Sequence, residues 1–188
     1  MSAVLTTETK YKTAAEGAKG LKAELKKIWP KVKFSVVSKT FSMGDSISVH
    51  WTNGPTTKEV DRIANKYQEG WFDGMTDCYT YESTLIVDSA DGQLKKLGGA
   101  KFVHTSRSIF GSYEAEAAFI ENVERDLCKL QRVDYVGPYT KIFENGEKTA
   151  NDLAWPIISK INFLKGNYAG LKFGDGDFQA VIVPAVPS

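Results

Sequence analysis

The sequence predicts an α+β protein in which a mostly antiparallel sheet is packed by about three helices. Three observations predict this fold class. Apolar residues recur at helical spacing in three segments, they alternate with polar residues in several short segments, and glycine or proline separates the two kinds. The helices are predicted at residues 10–28, 56–68 and 112–132. We expect a C-terminal β-hairpin as an addition to this core.

The first predicted helix has the clearest periodic pattern. Its apolar residues recur at steps of three and four and form one stripe: Tyr11, Ala14, Ala18, Leu21, Leu25 and Ile28. The helix is expected to end at Trp29, because a residue that precedes a proline disfavours the helical region. Gly17 and Gly20 each weaken a helix by roughly 1 kcal/mol relative to alanine. We therefore expect this helix to depend on packing against a sheet.

Two strands and a capped helix are predicted next. Residues 32–37 and 46–52 alternate apolar and polar side chains. The first of these segments then turns doubly apolar, which suggests a strand partly buried on both faces. Residues 39–45 between them are predicted as a polar loop. Asn53-Gly54-Pro55 ends the second strand. The Thr-Thr-Lys-Glu sequence that follows is typical of a capping box at the start of a helix.

The signals between this helix and the third helix are uneven. Residues 71–81 have no clean period, whereas residues 85–87 and 101–109 are predicted as strands. Ser112 is the predicted N-cap of the third helix.

The chain is expected to divide weakly near Gly137. Residues 1–136 would form the α+β core, and residues 137–188 a C-terminal extension packed on the same domain. The elements predicted in the extension are a strand, a short helix that Pro156 opposes, and the terminal hairpin, at residues 139–143, 149–161 and 168–183.

The composition is typical of a globular protein. Hydrophobic residues make up 42% and charged residues 25% of the 188 residues. No apolar run approaches the roughly 18 residues of a membrane-spanning helix, and the N-terminus lacks the apolar stretch of a signal peptide. We therefore expect a cytoplasmic protein with no membrane partner. Its two cysteines, Cys78 and Cys128, are expected to be small buried side chains without a disulfide.

A net charge of +1 hides alternating charged blocks along the chain. Four successive blocks have net charges of +7, −5, +4 and −4, for residues 10–39, 58–91, 92–111 and 112–152. Folding can interleave such blocks, so they indicate surface patches only weakly.

Five lysines surround the end of the first predicted helix and the first predicted strand: Lys26, Lys27, Lys31, Lys33 and Lys39. Trp29 and Phe34 lie between them in sequence. Lysines beside aromatic residues are typical of surfaces that follow phosphates and stack on bases, so these lysines are candidates for binding DNA or RNA. A solvated surface is the alternative interpretation.

Two acids flank a glycine turn in the sequence FDGMTD. Asp73 and Asp77 could bind a divalent metal and centre a metal-dependent enzyme, but a hydrolytic site usually needs a third ligand and a base. The alternative is an Asp-Gly turn whose carboxylates accept hydrogen bonds from nearby amides. We favour the turn, and we expect no metal and no cofactor.

His50 and His104 are the only histidines of the chain. Each lies on the polar or ambiguous side of a predicted strand, and the two strands are compatible with one sheet. With Cys78 they would suggest a zinc site or a Cys–His nucleophile, but no pair has the short spacing of a zinc motif. No catalytic residue is therefore assigned, and we expect a protein that is not an enzyme.

The central segment resembles a known family. Three motifs occur in one order: LKAELKKIWPKVKFSVVSKTF, SISVHWTNGPTTKEVDRIANKY and FDGMTDCYTY. Together they resemble the large polyvalent protein-associated domain 29 family. The resemblance is strongest over residues 14–81 and reaches the strand predicted at 101–109, whereas the residues after Ser112 lie outside it.

The resemblance implies an accessory protein of a phage or another mobile element such as a conjugative element. Such domains are suspected of blunting host defences, and no catalytic residues are known for the family. The implied action is that of an anti-restriction or anti-CRISPR protein, which binds a host defence protein complex in the host cytoplasm. The two acidic blocks suit a protein that competes for a DNA-binding surface. Because the chain is short beside multidomain polyvalent proteins, we expect a free-standing inhibitor or binding module.

The family motif also suggests where such binding takes place. The segment with no clean period combines two large aromatic side chains with two acids. We therefore expect a binding surface formed by Trp71, Phe72, Asp73, Gly74 and Asp77.

Overall fold

The computed structural model describes residues 8–142, 148–174 and 177–184, and it confirms the predicted α+β class. Within these residues the helices are α1 (Ala14–Ile28), α2 (Thr57–Ala64), α3 (Tyr113–Leu130) and α4 (Ala150–Lys160). The strands are β1 (Thr9–Tyr11), β2 (Ser35–Phe41), β3 (Gly44–Thr52), β4 (Gly70–Asp73), β5 (Cys78–Tyr81), β6 (Leu85–Val87), β7 (Leu94–Gly98), β8 (Phe102–Ser108), β9 (Asn167–Gly174) and β10 (Asp177–Val183). They form small, mostly antiparallel sheets in the orders β1-β7-β6, β2-β3-β8, β4-β5 and β10-β9. None of the described helices is both long and apolar enough to cross a membrane.

The chain folds as two compact units. The first contains the described residues up to Trp51 together with Thr57–Ser106, and the second contains Thr52–Thr56 and the described residues from Arg107 onward. Each unit has its own hydrophobic core. The predicted boundary near Gly137 lies inside the second unit, between α3 and α4. The predicted division into residues 1–136 and 137–188 stays a prediction.

The core of the first unit forms between α1 and the strands. Leu21 and Leu25 of α1 are fully buried, and so are Ile47, Val49 and Trp51 of β3. The alternation predicted for β3 is therefore confirmed, since its apolar residues share one buried face.

The first helix begins later than the sequence predicts. The Thr13 side chain accepts a hydrogen bond from the Glu16 backbone and caps the helix, which starts at Ala14 instead of residue 10. Tyr11 lies in β1, where it pairs with β7, and its ring stacks on Tyr67 with centroids 5.9 Å apart. The predicted end at Trp29 is confirmed.

Gly17 and Gly20 allow α1 to approach its neighbours closely. A Cβ atom on Gly17 would lie 2.7 Å from the Cα of Gly99, and one on Gly20 would overlap the ring of Tyr11. The cost in helix propensity is thus the consequence of a packing requirement that the sequence alone does not show.

The predicted loop at residues 39–45 is wrong over most of its length. β2 continues to Phe41 and β3 begins at Gly44, so only Ser42 and Met43 connect them. The prediction that the first strand is partly buried on both faces is wrong for one of them. β2 is the edge strand of its sheet, and side chains on one of its faces, including Val37, are exposed.

The second unit packs α3, α4 and the β9–β10 hairpin around its own core. Ser112 is the N-cap of α3, as predicted. α4 begins with a capping box of Thr149 and Asp152 and continues through Pro156. The C-terminal hairpin is confirmed, although residues 175 and 176 lie outside the described residues.

Between α3 and α4 the predicted strand at 139–143 is wrong in its described part. Residues 139–142 form a turn and one isolated bridge, which joins Lys141 to Thr149, and Phe143 lies outside the described residues. Nearby, the buried Glu124 of α3 accepts hydrogen bonds from Tyr135 at 2.7 Å and from Asn151 at 3.0 Å. The hydrogen bond from Tyr135 holds the connection against α3, and the one from Asn151 holds the start of α4 there.

Candidate functional site

The segment with no clean period, residues 71–81, forms the β4–β5 hairpin. Phe72 pairs with Tyr79, and Gly70 pairs with Tyr81, in antiparallel register. Five of the eight residues in the two strands are aromatic or acidic, and their side chains remain at least partly exposed on both faces. A two-stranded ribbon of this kind buries no single face, so its sequence shows no alternation of apolar and polar residues.

Asp73 holds the turn of this hairpin. One oxygen of its carboxylate accepts a hydrogen bond from the Met75 amide at 2.9 Å, and the other accepts one from the Thr76 hydroxyl at 2.8 Å. The Met75 amide, followed by the Thr76 hydroxyl, lowers the pKa of the Asp73 carboxyl. The interpretation of Asp73 as a turn residue is confirmed by this geometry.

The remaining predicted site residues are spread around the hairpin. Asp77 adopts a left-handed backbone conformation with φ of 53°, as turn residues do, and Gly74 lies at the open tip. Trp71 and Phe72 are adjacent in β4, so their side chains lie on opposite faces. The structure therefore does not bring the five predicted residues onto one surface.

Phe72 instead shares its face with other rings, which we call the aromatic face. It consists of Phe41, Phe72, Tyr79, Tyr81, Phe102 and His104, all in the first unit.

Four ring contacts order the aromatic face. Tyr79 meets Tyr81 edge-on with centroids 4.8 Å apart and meets Phe102 edge-on at 5.8 Å. Phe102 stacks on Phe41 at 6.3 Å and on His104 at 6.4 Å. Both arrangements are favourable for aromatic pairs. The rings of three separate segments therefore form one connected layer.

Tyr79 is held in this layer by two contacts with Lys101. Its hydroxyl donates a hydrogen bond to the carbonyl of Lys101 at 2.5 Å, and the Lys101 ammonium lies 4.8 Å from the Tyr79 ring centroid. Burial, followed by the charge of Glu69, raises the pKa of Tyr79 to about 12. The hydroxyl is therefore protonated at neutral pH and can donate this hydrogen bond. The hydrogen bond and the contact with the Lys101 ammonium together hold the ring in place.

Backbone hydrogen bonds fix the base of the hairpin. The Glu69 amide donates to the Ala100 carbonyl at 2.9 Å, and the Ala100 amide donates to the Tyr67 carbonyl at 3.0 Å. The side chain of Gln68 adds two bonds, since it accepts from Val103 and donates to Gly70. The hairpin is thus joined to β8 independently of its aromatic residues.

The outer rings of the aromatic face are open to solvent. Tyr81 is 69% exposed, Phe72 53% and Phe41 45%. Two methionines at hairpin turns, Met43 and Met75, are more exposed still. Contiguous exposed aromatic residues with methionine are typical of interaction surfaces, because they lose water easily when a partner covers them.

The histidines and Cys78 do not form a metal site among the described residues, where no group of three His, Cys, Asp or Glu side chains is placed to hold a metal ion. His50 and His104 do lie on strands of one sheet, and His50 Nδ1 lies 3.0 Å from the Ser106 hydroxyl. The prediction that both cysteines are buried holds for Cys128 and is wrong for Cys78, which is exposed on β5.

The five candidate lysines for nucleic-acid binding are all exposed. The aromatic residues between them are less available than the sequence suggests. Phe34 is only 8% exposed and packs between Trp29 and Trp51, with centroid distances of 6.0 and 5.8 Å. Its ring is therefore part of the core and not a stacking platform for bases. Lys22, Lys26 and Lys33 line a common cavity. Lys39 lies on β2 and is not among the residues that line it.

Comparison with known proteins places the first unit in a family. The family model described as large polyvalent protein associated domain 29 matches residues 12–113, a little more than half of the chain. The match includes every residue of the aromatic face. No curated protein and no solved structure shows significant similarity to the chain. The chain therefore belongs to the large polyvalent protein associated domain 29 family, and so has the character of a polyvalent-protein accessory domain.

Proposed function

We propose that this protein is a non-enzymatic counter-defence factor of a phage or conjugative element that binds a host defence protein complex through the aromatic face. The observation that supports this most is a connected layer of rings whose outer members are about half exposed or more. A monomer gains no stability from exposing such side chains, whereas an interface gains from burying them. The family to which the chain belongs supports a role as a polyvalent-protein accessory domain.

The rings are suited to binding because they are ordered before the partner arrives. Tyr and Phe have few rotatable bonds, and Tyr79 and Phe102 are already held by their contacts within the layer. Phe72 and Tyr81 each have only two rotatable side-chain bonds, so little conformational entropy is lost when a partner covers them. We expect these two outer rings to contribute most of the binding energy, with losses of about 2 kcal/mol or more on truncation.

The acidic blocks contribute less to this proposal than the sequence suggests. Asp88 and Asp91 form ion pairs with Lys95, and Glu121 pairs with Arg125. Part of the negative charge is therefore balanced within each unit. A protein surface that accepts aromatic side chains is a better match to this chain than a positively charged DNA-binding surface.

The proposal is tested by the survival of a sensitive phage in a defended host. The protein is produced in strains that carry a restriction or a CRISPR system, and plating efficiency is compared with that in undefended strains. We expect the wild-type chain to restore plating against one such system and the double variant Phe72→Ser with Tyr81→Ser to lose this effect. Tyr113→Ser with Tyr139→Ser is the matched control, because both tyrosines are exposed and lie outside the aromatic face. Equal activity of the two double variants would reject the aromatic face as the binding site.

Direct nucleic-acid binding is the second candidate function, and the exposure of all five candidate lysines favours it. Phosphate contacts release counterions, so binding of this kind would weaken steeply with added salt. A metal-dependent enzyme around Asp73 and Asp77 has less support, because both carboxylate oxygens of Asp73 already accept hydrogen bonds from the turn.

A further inference from the structure

A cavity of about 300 Å³ lies beside the C-terminal half of α1 in the first unit. Its lining residues come from α1 and from the connection to β2: Lys22, Lys26, Pro30, Val32, Lys33 and Phe34. This volume is at the lower end of the range for small-molecule sites. It is separate from the aromatic face and lies within the family match.

Three lysines surround this cavity without a charged partner among the described residues. The ion pairs described in the first unit use Lys10, Lys66 and Lys95 instead. Lys22 and Lys26 stand one turn apart on α1, and like charges at this spacing destabilise a helix. A bound anion would remove that repulsion.

Stabilisation of the helix end does not explain all three lysines. Lys26 lies in the last turn of α1, where a cation interacts favourably with the helix dipole. Lys22 lies a turn earlier, and Lys33 follows the helix in the connection to β2. Their shared feature is the cavity and not the helix terminus.

The floor of the cavity is apolar and held in place by the core. Phe34 packs between Trp29 and Trp51, and Pro30 restricts the backbone beside it. Val32 completes the apolar surface. A cavity lined by three lysines and by apolar residues matches a ligand that has an anionic group and an organic part.

We propose that this cavity binds a phosphate ester of nucleotide size. Lys22, Lys26 and Lys33 would hold the phosphate, and the organic part would rest on Pro30 and Val32. A phosphate monoester has close to two negative charges and three acceptor oxygens, which suits three ammonium donors better than a carboxylate does. The same group is present in a free nucleotide and at the end of a nucleic-acid strand. The site is independent of the proposed counter-defence function.

The test is isothermal titration calorimetry on the full chain with three probes: adenosine monophosphate, inorganic phosphate and a 5′-phosphorylated ten-nucleotide single strand. We expect adenosine monophosphate to bind more tightly than inorganic phosphate. Lys22→Gln with Lys33→Gln should weaken binding by on the order of tenfold or more, since it removes two charge-assisted contacts. Lys27→Gln with Lys31→Gln has the same charge change on exposed lysines that do not line the cavity, and should weaken it less than about threefold.

The outcomes separate the sources and decide the proposal. Weaker binding of the strand than of the nucleotide would identify a free nucleotide as the ligand, whereas equal or tighter binding of the strand with the same dependence on Lys22 and Lys33 would identify a nucleic-acid end. The proposal is overturned if none of the probes binds, if inorganic phosphate binds as tightly as the nucleotide, or if the two double variants lose affinity equally. Circular dichroism of each variant confirms that the exposed substitutions leave the fold intact.

Discussion

Asp88 illustrates how single side chains of the first unit combine burial with charge. Its side chain is only 10% exposed, and its carboxylate pairs with Lys10 at 3.2 Å and with Lys95 at 3.4 Å. The Ala90 amide, followed by Lys10, lowers the pKa of this carboxyl below its ordinary value of 3.8. Folding therefore favours the ionised form.

This lowered pKa predicts a loss of stability in acid. The contribution of Asp88 is fully present above the unfolded-state pKa and disappears as the pH falls through the lower pKa of the folded state. As the pH is lowered below about 5, we expect the free energy of unfolding of Asp88→Asn to decrease less than that of the wild type. Urea unfolding at a series of pH values measures this. Identical pH profiles for the variant and the wild type would contradict the assignment.

Gly17 provides a second prediction at the scale of one residue. Alanine is the better helix former by about 1 kcal/mol, so propensity alone predicts that Gly17→Ala stabilises the protein. Its Cβ would lie 2.7 Å from Gly99, and we expect a net destabilisation of about 1–3 kcal/mol instead. Gly74→Ala is the control, because nothing lies near its Cβ position. Urea midpoints compare the two variants, and a stabilised Gly17→Ala protein would show that the close approach of α1 is wrong.

Among the elements, the capped helices follow most directly from the sequence. The end of α1 at Trp29 and the N-cap of α3 at Ser112 depend on residues within one turn of each boundary. The errors lie where distant residues decide. Tyr11 joins β1 because β7 offers it a pairing partner. The helix predicted at residues 149–161 is confirmed as α4, which continues through Pro156 because its apolar side packs in the second core.

The β4–β5 hairpin permits a prediction at this scale. The Asp73 carboxylate connects the turn through Met75 and Thr76, and its loss leaves both donors without that acceptor. We expect Asp73→Ala to increase amide hydrogen exchange in the hairpin severalfold, with little effect on the buried strand β3. Asp73→Asn keeps an acceptor and should exchange more slowly than Asp73→Ala. An equal increase of amide exchange in the hairpin and in β3 would contradict a local role for Asp73.

For the whole molecule, the candidate site was predictable only in part. The sequence FDGMTD drew attention to Phe72 because large aromatic and acidic residues without a period are unusual in a folded segment. Phe41 and Phe102 lie far from it in sequence, and only the pairing of the sheet and the position of the hairpin bring these rings into one layer. Lys22 was likewise missed as a site residue, because its relation to Lys33 depends on the path of the chain after α1.

The central claim is that the aromatic face binds a host defence protein, and site-specific photo-crosslinking in the host tests it most directly. Tyr81 is replaced by p-benzoylphenylalanine, a bulky aromatic residue suited to its exposed position, and Tyr139 is replaced in the same way as the control. We expect position 81 to yield a discrete crosslink to a subunit of a restriction or CRISPR complex, and we expect Phe72→Ser to abolish it. The same products from position 139, or a crosslink at position 81 that Phe72→Ser leaves unchanged, would contradict it.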